Sequence, residues 1–374
     1  MTHQLRVLFA PDSFKGSASA AQVAAALAEG WQTDRPGDEL ILLPQADGGE
    51  GTAAVIQTGV PGAAWQRTPD SVAGPDGRPV PGRWLRLPDG SAVVELAQVC
   101  GLPMLRTPDP AGATTRGLGE VVRAAAASGA PSITVALGGS ASTDGGAGAL
   151  QALGACLTDR QGTELPLGGA ALLQVDRADL TRLVPLPPGG VRLLTDTRTV
   201  LTGPDGAARV FGPQKGATPD EVARLDAALA RFGAVLGACS AADPHAPGSG
   251  AAGGTAFGLS AWGGSIVDGA NAIAELSGLT ALLDRIDVLV TGEGCFDATS
   301  ATGKLVGSLL SRCRAHRVQP VIVAGRLAIQ PPAIGTDLTV LAGSAEAAMA
   351  EPLRWLRIAG AVIAQRFTAG LTRT

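Results

Sequence analysis

Most residues able to do chemistry in this chain stand in six glycine-rich segments. These are 10–16 (APDSFKG), 46–52 (ADGGEGT), 138–148 (GGSASTDGGAG), 211–216 (FGPQKG), 248–254 (GSGAAGG), and 292–297 (GEGCFD) with Gly303-Lys304 just beyond. Each joins glycine to a carboxylate, a lysine or a hydroxyl. Glycine lets backbone N–H groups converge on an anion, and a helix starting after the loop favours negative charge there. For any one such loop the plain alternative is a tight turn; the polar supplement repeated in all six sets them apart. Asp12, Asp47, Glu50, Asp144, Asp196, Glu293 and Asp297 are the carboxylates in or beside the loops. Lys15, Lys215 and Lys304 stand in three of them, in a chain whose basic residues are mostly arginine. Phosphoryl transfer needs this inventory: Mg2+ held by carboxylates, cations against phosphate oxygens, and a base to orient a hydroxyl nucleophile.

Standard phosphate and nucleophile signatures do not account for the loops. The Gly303-Lys304 pair has Ala298 where a Walker A motif begins and Leu305 where it needs Ser or Thr. Residues 248–253 match GxGxxG but follow the Pro-rich stretch 243–247 instead of a strand, a poor context for dinucleotide binding. No HRD, DFG or GxSxG sequence occurs, and His3, His245 and His316 are too few and too scattered for a Ser-His-Asp triad or a His-rich metal site.

The elements that must position these loops alternate. Strands are expected at 5–10 and 39–44, with a helix through 22–31 capped from Ser17 or Ser19 and stopped near Gly37, and another helix from 52 toward Gly59. The rhythm returns at the far end, with strands at 287–291, 319–324 and 337–342, and helices at 303–316 and from about 345 to 368, Pro352 lying near the start of the last or at a kink. Between the two ends the texture changes. Residues 61–89 read as turns and short hairpins, 92–96, 132–137 and 191–194 as strands, and Thr218-Pro219-Asp220-Glu221 as a full helix start. Strand–helix alternation implies βαβ units and a parallel sheet. The fold class expected is therefore α/β with two domains. One is a Rossmann-like parallel-sheet domain built from both chain ends, 1–62 and 287–374. The other is an inserted α/β domain with a mixed sheet, 63–286. Loops at strand carboxyl ends are where open α/β sheets bind ligands, and the cleft between the domains is the expected active site.

Composition narrows the class. The 374 residues carry a net charge of −4, which argues against nucleic acid as the main partner. Apolar residues make up 45%, enough for large cores, while aromatics at 3% with no tyrosine offer no stacking platform. The five cysteines are widely spaced without a CxxC pair, the pattern of free thiols in a reducing cytosol. No run approaches a membrane span, and the first residues lack a signal-peptide core, so a cytoplasmic protein with no membrane partner is expected.

At its loops the chain resembles the bacterial glycerate kinase family of the glycerate 2-kinase type. The matching stretches, in the family's order, are APDSFKGS at 10–17, ADGGEGT at 46–52, GGSASTDGGAG at 138–148, FGPQKGA at 211–217, GAAGG at 250–254, and TGEG with Asp297 and Gly303-Lys304. The resemblance implies a cytoplasmic two-domain enzyme that uses ATP and Mg2+ to phosphorylate D-glycerate to 2-phosphoglycerate, as a monomer or homodimer. Placed on the loops, the expected catalytic residues are Asp47, Glu293, Asp297, Lys304 and Asp196. Asp47, Glu50 and Glu293 are the expected metal ligands. Asp12, Ser13, Lys15, Gly48, Gly49, Arg116, Gly138, Gly139, Ser140 and Lys215 are the expected substrate- and phosphate-binding set. The substrate carboxylate has two candidate partners, Arg116 and the Asp12–Lys15 segment, and either domain could hold ATP. Two positions depart from the family pattern: Cys295 stands where an arginine is usual, with Arg198 as a candidate substitute, and Thr199-Val200 replaces an Asn–Pro pair. A non-catalytic sugar-acid-binding protein on the same scaffold and an NAD-dependent oxidoreductase are the competing readings.

Overall fold

The computed structural model describes residues 3–301, 304–368 and 370. The chain divides into two compact units, one comprising Met1–Asp47, Ala54–Pro61 and Ala270–Thr374, the other Gly48–Ala53 and Gly62–Gly269.

The unit built from the chain ends holds a five-stranded, wholly parallel sheet in the order Ile334–Asp337, Gln319–Leu327, Val288–Phe296, Arg6–Phe9, Glu39–Leu42. Its central strands are continuous apolar runs because both faces are covered. Val7, Phe9, Val290, Val321 and Val323 pack on one face against the helices Ala20–Asp34 and Pro352–Thr368. Leu8 and Leu289 pack on the other against Leu305–His316 and the helical stretch from Ala270 to Leu283. That second packing moves a boundary: Ala270, Ala274, Leu279, Leu283 and Ile286 share a core with Leu8, Leu289 and Leu309, so residues 270–286 belong with the chain-end unit rather than with the insert. Ser19 caps the helix Ala20–Asp34 in a reciprocal box with Gln22, as its position before an apolar stripe predicts.

Two expected elements are corrected. Residues 337–342 are not a strand: the strand is Ile334–Asp337, and Asp337 accepts the Val340 N–H to start the helix Leu338–Ala342. Residues 345–368 are two helices, Ala345–Ala350 and Pro352–Thr368, because Pro352 has no N–H to continue the first and a fixed φ suited to the opening turn of the second.

The inserted unit contains a six-stranded mixed sheet in the order Ser265–Asp268, Val191–Thr195, Ile133–Ala136, Ala92–Glu95, Arg83–Arg86, Ala64–Arg67. The first four strands run parallel and the last two antiparallel. Strands 83–86 and 64–67 fall in the stretch read from sequence as turns and hairpins. The helix Pro219–Gly237 carries the Thr218–Glu221 capping box and buries Val222, Leu225, Leu229, Phe232 and Leu236, the periodic positions read from sequence.

Candidate active site

In the chain-end unit the strand order reverses at Arg6–Phe9. The chain leaving that strand crosses to Glu39–Leu42 on one side, and the chain leaving Val288–Phe296 crosses to Gln319–Leu327 on the other. A crevice opens at the carboxyl ends of strands at such a switch point. Here it is a pocket of about 490 Å3. Asp12, Ser13 and Lys15 enter it from the end of the first strand, Asp47 from beyond the second, and Glu293, Cys295 and Asp297 from the long strand and its end. Lys304 enters at the start of the next helix, Arg326 from the neighbouring strand, and Leu338, Ala348, Met349 and Pro352 form an apolar wall.

Local bonding holds these groups. The Asp12 N–H donates to the Gly292 carbonyl at 2.9 Å, joining the first loop to the long strand. Glu293 lies within that strand, not in a loop as read from sequence, because pairing with Gln319–Leu327 continues through Cys295–Arg326 and Phe296–Leu327. Asp297 Oδ1 accepts the Thr299 and Ser300 N–H groups at 2.8 and 3.0 Å and the Thr299 hydroxyl at 2.7 Å. These bonds, the Thr299 hydroxyl foremost, pull its carboxyl down to about 2, so Asp297 stays ionised and anchors the short turn Ala298–Ala301.

Asp12 and Glu293 are strained electrostatically. Burial, and then the negative charge of Asp47, pushes Asp12 up to about 7, against the opposing Ser13 N–H and Lys15 charge. Burial also raises Glu293, with a Ser300 hydrogen bond and the Lys304 charge acting against it. Glu293 Oε1 is buried without a hydrogen-bond partner. Both cations are uncommitted: among the described residues no carboxylate lies within ion-pair distance of Lys15 or Lys304. No group of three or more His, Cys, Asp or Glu side chains among the described residues is arranged to hold a metal alone. A pair of carboxylates with an orphaned buried oxygen fits Mg2+, which is commonly held by one or two carboxylates plus substrate phosphates.

The remaining expected residues lie in the inserted unit. The Gly138 N–H donates to the Gly48 carbonyl at 3.0 Å, and a Cβ on Gly138 would run into Gly49, so Gly48-Gly49 and Gly138-Gly139 are closely packed backbone. Next to them Glu50 begins a turn held by Glu95, which accepts the Gly51 and Ala53 N–H groups at 2.8 and 3.0 Å. Ser140 is buried and Lys215 is 2% exposed, its ammonium donating to the Ser142 carbonyl and, at 3.5 Å, to Ser140 Oγ. Burial lowers Lys215 to about 8, and the nearby Asp144 charge opposes that shift. Arg116 opens the helix Arg116–Ala127 and pairs with Glu120 at 3.0 Å. Asp196 is exposed at the end of Val191–Thr195. The GxGxxG stretch packs on the other glycine loop, Gly145 N–H donating to the Gly253 carbonyl at 3.0 Å, with Ala252, Gly253 and Gly254 left-handed. Thr302 and Gly303 lie outside the described residues.

Asp144 ties this second cluster together. It is fully buried and accepts the Thr115 N–H and hydroxyl, both at 2.8 Å, and the Gly146 and Gly148 N–H groups at 3.1 and 3.3 Å. Asp144→Ala would orphan those donors and leave the buried Lys215 charge uncompensated. The expected loss is about 3–5 kcal/mol in denaturant unfolding; a loss under about 1 kcal/mol would mean that the cluster re-forms around water.

Arg326 and the apolar wall went unnoticed in sequence. A signal for Arg326 was there, since Gly325-Arg326 follows a predicted strand, but it lacks the glycine cluster that marked the other loops.

A family model described as the glycerate kinase family matches residues 7–367. A glycerate 2-kinase of Escherichia coli K12 is 35% identical over 332 residues, spanning 86% of each chain. A glycerate kinase of Bacillus subtilis 168 is 35% identical over 329 residues, spanning 86% of this chain and 85% of its own. The crystal structure of a protein described as a glycerate kinase 2 from Salmonella typhimurium LT2 superposes with a TM-score of 0.83 at 31% identity, covering 99% of this chain and all of that one.

Proposed function

Since this chain belongs to the glycerate kinase family, and is a kinase, we propose that it transfers the γ-phosphoryl group of ATP to the 2-hydroxyl of D-glycerate in the pocket of the chain-end unit. The observation that carries this reading is the make-up of that pocket. Carboxylates, two uncommitted lysines and an apolar wall share one crevice at a sheet switch point, as a nucleotide with a charged tail and an apolar base requires.

Asp47 and Glu293 would hold Mg2+, which when bound neutralises charge on the phosphate oxygens. Lys304 and Lys15 lie against the phosphates, where the transferring group and the departing ADP gather charge. Asp12, with a carboxyl near neutrality, suits a base that takes the hydroxyl proton as the acceptor oxygen bonds to phosphorus and the bond to the ADP oxygen breaks. The wall of Leu338, Ala348, Met349 and Pro352 takes the adenosine. Asp196 and Lys215 are given no step.

A coupled ADP-release assay with D-glycerate, Mg2+ and ATP tests the proposal, with the product identified by NMR. ADP formation dependent on D-glycerate, with 2-phosphoglycerate as product, is expected. D-glycerate binding without turnover, or a nicotinamide absorbance change in place of ADP release, would overturn it.

A further inference from the structure

Arg326 is the third cation of the pocket, beside Lys15 and Lys304. Arg6, Arg35, Arg116, Arg209 and Arg357 each pair with a carboxylate. Arg326 has no such partner among the described residues, although Asp12, Asp47, Glu293 and Asp297 line the same pocket.

The backbone carrying it is pinned on both sides. The Gly325 carbonyl accepts the Thr339 hydroxyl at 2.8 Å, and the Leu327 N–H donates to Asp337 Oδ2 at 2.8 Å. Strand register sets Arg326 beside Cys295 and Ala324 beside Glu293. Alternate residues of a strand share a face, so Arg326 leaves the sheet on the face that carries Glu293. A Cβ on Gly325 would meet the Gly294 carbonyl oxygen at 2.5 Å, whereas one on Gly294 would find nothing closer than the Lys15 nitrogen at 4.0 Å. Gly294 thus leaves room against backbone on the face opposite that of Glu293 and Arg326, toward the Lys15 loop.

We propose that Arg326 is an oxyanion clamp of this pocket, its planar fork taking two oxygens of a bound anion. This rests on phosphoryl transfer taking place here, and two anions of that reaction offer the chemistry: the phosphate tail of the nucleotide and the carboxylate of the acceptor.

The test compares wild type, Arg326→Met and Arg326→Lys by calorimetric titration with MgADP and with D-glycerate, alongside KM for each substrate. Thermal unfolding should be unchanged, since the side chain is exposed and unpaired. If Arg326 grips the nucleotide tail, Arg326→Met weakens MgADP by about tenfold or more and leaves D-glycerate alone; if it grips the acceptor, the pattern reverses. In either case Arg326→Lys recovers only part of the loss, because it keeps the charge without the fork. Affinities and KM values within about twofold of wild type for both ligands, or full recovery by lysine, would overturn the clamp. A wild type that bound MgADP but phosphorylated no glycerate would sink the proposed reaction, while the titrations would still decide Arg326.

Discussion

Lys304→Met is expected to lower kcat by on the order of 10²-fold or more, the size associated with losing one preorganised contact to transition-state charge. The residue occupies the N-cap position of the helix Leu305–His316 and makes no side-chain cap bond. The helix is held by Leu305, Val306, Leu309 and Leu310, all buried, so Lys304 contributes nothing to that packing. A cation at a helix N-terminus opposes the dipole and is out of place unless an anion joins it. No carboxylate among the described residues lies close enough to pair with it, yet its charge is felt at Glu293. A transferring phosphoryl group supplies the missing anion, and does so most strongly as charge moves onto its oxygens and those of the departing ADP. Steady-state kinetics with a melting curve separates the roles. A fall in kcat at constant Tm is the expected result. Unchanged kcat, or a variant that unfolds, would leave Lys15 as the phosphate-facing lysine of the pocket.

Asp12→Asn is expected to have opposite effects on activity and stability. Turnover should fall by about 10²–10⁴-fold, the range for a lost general base, while the ligand-free protein gains stability at neutral pH. The sign follows from linkage. The folded-state carboxyl is raised to about 7 from an ordinary 3.8, so between those values the native state holds a proton that the unfolded state has released. Stability therefore falls as pH rises from about 4 to about 7, and the whole cost, on the order of 2–4 kcal/mol, is present above that. Asparagine removes the charge and the cost with it. The Tm difference between Asp12→Asn and wild type should vanish near pH 4 and be largest above pH 7. Two parallel Tm–pH curves would show that Asp47 and burial do not strain Asp12.

Adjacent residues decided how much of this was legible beforehand. Val7–Phe9 and Ile133–Ala136 are buried at every residue, so they read as short runs dominated by apolar and β-branched side chains. Ser19 and Thr218 sit three residues before the side chains that complete their caps. These are short-range signals: the Thr218 cap is legible in full, whereas Ser17 and Ser19 are both open as caps until the fold selects Ser19. The Asp337 cap was misread because Leu338-Thr-Val-Leu is as apolar and β-branched as a strand, and only the bond from Val340 N–H to Asp337 turns it into a helix.

By itself the sequence determined the alternation of strands and helices, the discontinuous α/β unit, and the segments at strand ends and helix starts in which Asp12, Asp47 and Lys304 stand, because each of these depends on spacing within a few residues. Tertiary structure decided which loops share a pocket. Asp12 and Asp47 meet Glu293 only because Arg6–Phe9 pairs with Val288–Phe296 across some 280 residues of chain, and Arg326 joins them only through the register of the next strand. It also separated two sets of residues that look alike in sequence. Lys215 and Asp144 are as charged and as glycine-flanked as Lys304 and Glu293, but the inserted unit buries them against each other's loops. Burial and long-range pairing are properties of the packed chain, and no local pattern encodes whether a charged loop will face a ligand or a core.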